Sequence, residues 1–287
     1  MVQPGLSLTL VLIVLVGASL HAAWNALIKS GPDKELDTAL VHVLGCLIAV
    51  PMVLVVGFPK SAAWPYLCAS LVIHIGYYVA LVGAYKHGDL GLTYPIMRGT
   101  APLLVALGSG FFLGEVLSFA AWLGIVAISV GVIAVGWRNS ASATQGTAIR
   151  FAFANACIIA VYTIVDGIGV RLAGDPLAYV ATLFLFDGIP YALMVAWQRR
   201  ARLGESFAYV RRRTPVATLG ALASLGSYGI AIWAMAQAPV AMVAALRETS
   251  VLFAALIGVI WLKESFGVQR LAGTLLIVAG IVSLRLL

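Results

Sequence analysis

Two stretches decide the fold: RGTAPLLVALGSGFFLGEVLSFAAWLGIVAISVGVIAV (98–135) and RETSVLFAALIGVIWLKESFGVQRLAGTLLIVAGIVSL (247–284). They lie 149 residues apart and align without a gap, with ten of 38 positions identical. Shared Leu and Ala follow from apolar composition alone. The matches of Arg98 with Arg247 and Glu115 with Glu264 do not; Gly124 with Gly273 and Gly131 with Gly280 also align. The chain therefore reads as a duplication, with repeats at 1–137 and 149–287 and a linker at 138–148.

Outward from these stretches, charge is scarce. Residues 1–28, 38–59, 61–85, 116–137 and 214–246 contain no Asp, Glu, Lys or Arg. A membrane-spanning helix needs about 20 apolar residues. The last stretch exceeds one span, and Gln237-Ala238-Pro239 offers its break. Segments 90–112, 149–170, 177–197 and 239–262 are interrupted by charge, and 267–286 closes the chain. The expectation is an all-α polytopic membrane protein of ten transmembrane helices. Continuous apolar runs without alternation argue against a β-barrel. Five helices per repeat is odd, so the second copy enters the membrane inverted. Inverted repeats mark transporters, with the site near the midplane between the repeats.

Composition agrees. The 287 residues are 62% hydrophobic and 10% charged, with mean hydropathy +1.03. Soluble domains carry about 25% charged residues, so an ordinary soluble enzyme and a disordered chain are excluded. The net charge of +7 first suggests loop orientation. On the face bearing the termini stand 3 basic residues, and on the other 13, six of them between 199 and 213. The positive-inside rule makes the richer face cytoplasmic and puts both termini outside. That cluster also suits anionic lipid headgroups. The N-terminus lacks a basic region and cleavage motif, so its apolar stretch reads as a retained helix. Cys46, Cys68 and Cys157 lie in apolar runs, which argues against disulfides.

HAAWNALIKSG (21–31) resembles the first-helix motif of the EamA-type drug/metabolite transporter superfamily. GAYKHGDLGLTYPIMRGTAPLLVALGSGFFLGE (83–115) and the counterpart ending WLKE (261–264) also resemble its motifs. The resemblance covers nearly the whole chain. It implies ten helices in two inverted five-helix repeats, a central cavity, and transport of small metabolites, often export. It also implies cytoplasmic termini, the opposite of the charge count. Three positions depart from symmetry: Trp24 faces Tyr162, Pro102 faces Val251, and Gly114-Glu115 becomes Lys263-Glu264. The first-helix carboxylate of the related four-helix multidrug proteins is missing from residues 1–28, so their drug/proton exchange is not implied.

The candidate site starts from insertion cost. An Arg or Asp at a helix centre costs about 2.5–3.5 kcal/mol, against about 0.3–0.6 gained per Leu or Ile. Arg98, Asp166, Asp187, Arg247 and Glu248 must therefore face water or one another. Arg98 sits between Pro95 and Pro102, with Tyr94 one turn earlier; its guanidinium suits a carboxylate, a phosphate or the carbonyls that proline leaves unbonded. Arg247 and Glu248 lie about 100° apart around their helix and point to different neighbours. Asp166, Asp187 or Glu248 can carry a coupling proton, or serve as fixed counter-ions to the arginines. His21, Trp24 and Asn25 share one face of the first helix, and His74, Tyr77 and Tyr78 one face of the third. Tyr162, Tyr228 and Trp233 complete the substrate-binding candidates. Each of these polar aromatic faces also suits packing between helices. Glu115 and Glu264 read as structural caps of helix N-termini. The paired glycines suit close backbone packing, at the repeat interface or in a dimer.

The four histidines lack ligand spacing, so no metal is expected, and no Walker-type loop points to ATP. The expected function is secondary active transport, by alternating access, of small polar metabolites such as amino acids or organic acids. The expected setting is the cytoplasmic (inner) membrane, as monomer or homodimer, with a small-molecule solute and membrane lipids as partners, no cofactor and no nucleic acid. The alternative is an intramembrane aspartyl-type enzyme using Asp166 and Asp187. It lacks GxGD, since 166–169 reads DGIG. A channel lacks an evident filter segment.

Overall fold

A computed structural model describes residues 6–87, 90–136, 145–200, 203–262 and 267–286. Among them there is no strand. The first half contributes α1 (Leu8–Lys29), α2 (Lys34–Val56), α3 (Trp64–His87), α4 (Leu90–Phe112) and α5 (Phe119–Gly136). The second contributes α6 (Gln145–Leu172), α7 (Pro176–Gln198), α8 (Leu203–Met235), α9 (Val240–Glu248), α10 (Ser250–Leu262) and α11 (Val268–Leu286). Helices α9 and α10 are two halves of one span, so the ten expected spans are present. Among the described residues eight spans are long and apolar enough to cross a membrane.

Three boundaries differ from expectation. The ninth span breaks at Thr249, whose hydroxyl donates to the Leu246 carbonyl at 2.6 Å. Helix α6 begins at Gln145, before the expected 149. Most of the basic stretch 203–213 is helix rather than loop, because it lacks proline and is rich in helix-favouring residues. The resulting α8, 33 residues long, rises about 50 Å. That exceeds a hydrocarbon core of about 30 Å, so its first turns project past the hydrocarbon.

The helix pairings repeat across the duplication. Helix α1 packs on α8, and its counterpart α6 packs on α3. Helix α4 packs on α6, and its counterpart span packs on α1. The self-related pairs α2 with α7, α4 with α9 and α5 with α11 meet between the halves. At the α5–α11 crossing the paired glycines face each other's backbones. A Cβ at Gly124 would lie 2.9 Å from the Gly280 carbonyl oxygen, and one at Gly131 would lie 2.7 Å from that of Gly273. The glycines thus serve the repeat interface.

Candidate functional site

Between the halves, the intramembrane charges gather into three linked clusters. In the first, Arg98 of α4 meets Glu248 of α9 at 2.7 Å, and both are buried, 7% and 4% exposed. The break at Thr249 ends α9 at this glutamate. His21 of α1 brings Nε2 to 3.3 Å from the same guanidinium. Its Nδ1 faces the Trp24 indole N–H at 3.4 Å, with the two rings edge-on. Tyr94 stands beside Arg98. Asn25 donates to the His21 carbonyl at 2.8 Å, within its own helix. One amide N–H is therefore used within α1, which the shared-face argument did not anticipate.

In the second cluster, Asp166 of α6 is fully buried. Its Oδ1 accepts from the Tyr179 hydroxyl of α7 at 2.9 Å, and its Oδ2 accepts from the Tyr228 hydroxyl of α8. The Tyr228 ring lies under the Arg247 guanidinium, 5.1 Å from its carbon, in a cation–π contact.

In the third, Asp187 of α7 lies 3.1 Å from His74 Nδ1 of α3 and 3.8 Å from His42 Nδ1 of α2. The His74 ring packs on Tyr162, centroids 4.7 Å apart, and Tyr77 meets Tyr162 edge-on. Tyr162 also stands in the field of Arg247, Arg98, Glu248 and Asp166. This one ring joins the three clusters.

Arg98 and Arg247 are counterparts in the two repeats, but their surroundings are not. Glu248 neutralises Arg98. Its own counterpart is Gly99, where even a Cβ would lie 2.8 Å from the Ser129 carbonyl oxygen. Repeat one has no room for an acid there. Among the described residues no carboxylate lies within ion-pairing distance of Arg247.

Residues 146–286 match the EamA-like transporter family. This chain is an EamA-type member of the drug/metabolite transporter superfamily. A solved chain, described only as the crystal structure of a protein, superposes with TM-score 0.70 at 18% identity, covering 96% of this chain and 94% of that one. That likeness shows the fold. No curated protein matches the sequence.

In this EamA-type transporter, Asp166 and Asp187 have different hydrogen-bond and ion-pair partners. One is held by two tyrosine hydroxyls and the other by two histidines, and the family match gives the aspartyl-enzyme alternative no support. Trp233 packs into the main core cluster. The side chain of Tyr78, and Glu264 altogether, lie outside the described residues.

Glu115 does cap an N-terminus, but that of α9 rather than of the following α5. Both its oxygens accept from Val240 N at 3.0 Å. Gly114, at φ +65°, permits the turn that precedes it. Arg171 donates to Glu115 at 2.6 Å and to the Met235 and Ala238 carbonyls. At the opposite end, Arg199 donates to Asp33 at 2.6 and 3.1 Å and to Glu35 at 2.8 Å. Arg213 binds Asp37 through two bonds of 3.0 Å.

Sequence reasoning missed His42, Tyr179, Arg171, Arg213 and Asp37. His42 carried a usable signal: it lies four residues before Cys46 in the charge-free stretch 38–59, which has few polar groups to spare.

Proposed function

We propose that the chain is a secondary active transporter of small anionic or zwitterionic metabolites, such as amino acids or organic acids. It exports them across the cytoplasmic membrane by alternating access between the repeats at 1–137 and 149–287, joined by 138–148. The observation that carries the reading is Arg247. It is a cation on the bundle interior, stacked on Tyr228, while its symmetry counterpart Arg98 is already neutralised. A substrate carboxylate supplies the missing counter-charge, in the two-donor geometry a guanidinium offers.

His21 supports the same ligand class. Its two nitrogens face Arg98 and the Trp24 indole, and both of those groups can only donate. A neutral imidazole always carries one N–H, so whichever tautomer forms, that proton points at a donor. An incoming acceptor relieves the conflict. Trp24, Tyr94 and Tyr162 line the approach. Asp166, Asp187 and Glu248 are the candidates for the coupling proton, with His42 and His74 beside Asp187 as relays. The outward direction follows the family resemblance.

Purified protein in liposomes tests this with labelled amino acids, organic acids and amines under an imposed pH gradient. Arg247→Ala removes charge-assisted bonds worth about 1.5–3 kcal/mol, so flux of the anionic solute should fall roughly 10- to 100-fold, and Arg247→Lys should recover part of it. Flux of a lipophilic cation, untouched by Arg247→Ala, would refute the reading.

A further inference from the structure

Away from the centre, a groove of about 410 Å³ opens between α2, α7 and the first turns of α8. That volume lies within the range of small-ligand sites. Its wall is apolar and built from small residues, Ala39 of α2 with Ala192 and Ala196 of α7, while Phe207 of α8 closes one side. Between Leu36 and Val43 the lining of α2 descends about 10 Å. The groove thus runs from the level of the Asp33–Arg199 contact into the hydrocarbon. Its mouth is basic: Arg199 lines it, and the neighbouring Arg200 and Arg211, the latter next to the lining residue Val210, are exposed. Arg211 lies one turn after Phe207 on the same face of α8. Arg200 stacks on Trp197. Of the acids at this end, Asp33, Glu35 and Asp37 are occupied by Arg199 and Arg213, and the side chain of Glu205 lies outside the described residues. Among the described residues Arg200 and Arg211 have no carboxylate within ion-pairing distance. An apolar channel that descends into the hydrocarbon beneath exposed arginines has the polarity of one molecule class.

We propose that this groove is a binding site for an anionic glycerophospholipid, with an acyl chain along Ala39, Ala192 and Ala196 and its phosphate at Arg200 and Arg211. The site is separate from the transport path, and it remains whatever solute Arg247 takes. An occupant braces the α1–α2 turn against the α7–α8 junction, where the Asp33–Arg199 and Asp37–Arg213 pairs already tie them.

The test is native mass spectrometry of protein released from nanodiscs of mixed phosphatidylglycerol and phosphatidylcholine. Wild type should retain phosphatidylglycerol at least tenfold over phosphatidylcholine. A basic residue at a membrane surface contributes about fivefold, so Arg200→Gln/Arg211→Gln should cut retention on the order of 25-fold. These exposed substitutions leave the core untouched. Ala196→Trp, which fills the groove, should abolish retention while the arginines remain. Equal retention of the two lipids by wild type overturns the proposal. So does undiminished phosphatidylglycerol retention by either variant whose helical circular dichroism matches wild type.

Discussion

Arg98 and Glu248 are each the reason the other is tolerated. A buried pair stripped of one partner loses about 3–5 kcal/mol, whereas replacing both with apolar groups is often neutral. Arg98→Leu and Glu248→Leu should each lower the midpoint of unfolding in detergent, and the double variant should return close to wild type. Singles whose effects simply add would mean that the 2.7 Å contact carries no coupling. The need for such a pair was legible in the sequence, because a charge in the middle of an apolar helix demands a partner. So was the divergence of Arg247 from Glu248, which follows from helical geometry. The choice of partner was not. Arg98 and Glu248 belong to different repeats, and only helix packing brings α4 and α9 together. Asp166 shows the same limit: its tyrosines come from α7 and α8, and Tyr179 sat unnoticed in an apolar run.

Helix α5 depends on having nothing where other helices have side chains. Gly124 and Gly131 admit the carbonyls of α11, and Gly273 and Gly280 return the same close approach. Gly131→Leu would drive a Cβ into the Gly273 carbonyl oxygen at 2.7 Å and the Ile277 side chain at 2.6 Å. Overpacking of this kind costs about 1–3 kcal/mol. Thermal unfolding should show that loss for Gly131→Leu and none for Gly146→Leu, where a Cβ meets nothing within 4 Å. Equal midpoints would show the crossing to be adaptable. The seven-residue glycine spacing announced a packing face, although the partner helix had to be seen. The break between α9 and α10 left little trace, because Arg-Glu-Thr-Ser lacks the proline or glycine that normally marks one. The cap on α9 was hidden too: a glutamate near the start of α5 reaches across the bundle instead of serving its own neighbour.

At the scale of the molecule, polar contacts close the bundle at both ends, and they differ in kind. On the face of the termini, Arg171 and Glu115 bond each other and also the backbone ends of α8 and α9, so breaking them strands helix termini. On the basic face, Arg199 with Asp33 and Glu35 joins side chains that are more exposed, and such pairs hold about 0–1 kcal/mol each. In the proposed alternating-access cycle one end opens while the other stays shut, and on the basic face the exposed Arg199 contacts yield before the Arg213 pair with the buried Asp37. Cys46 reports on this: it lies one turn beyond His42 on α2, half-buried, with its thiol donating to the Phe184 carbonyl. In a Cys68→Ala/Cys157→Ala background, a membrane-impermeant maleimide should reach Cys46 faster from the basic face when Asp33→Asn and Glu35→Gln are combined. Glu115→Gln should speed labelling from the face of the termini instead, by a smaller factor, because the carbonyls of Met235 and Ala238 still hold Arg171. Rates unmoved by either change would show that neither cluster gates the path. The same traces settle orientation. In sealed right-side-out vesicles, acceleration by Asp33→Asn/Glu35→Gln places the basic face outside, as the cytoplasmic termini implied by the family resemblance require. Acceleration by Glu115→Gln places the termini outside, as the 3-to-13 distribution of basic residues requires.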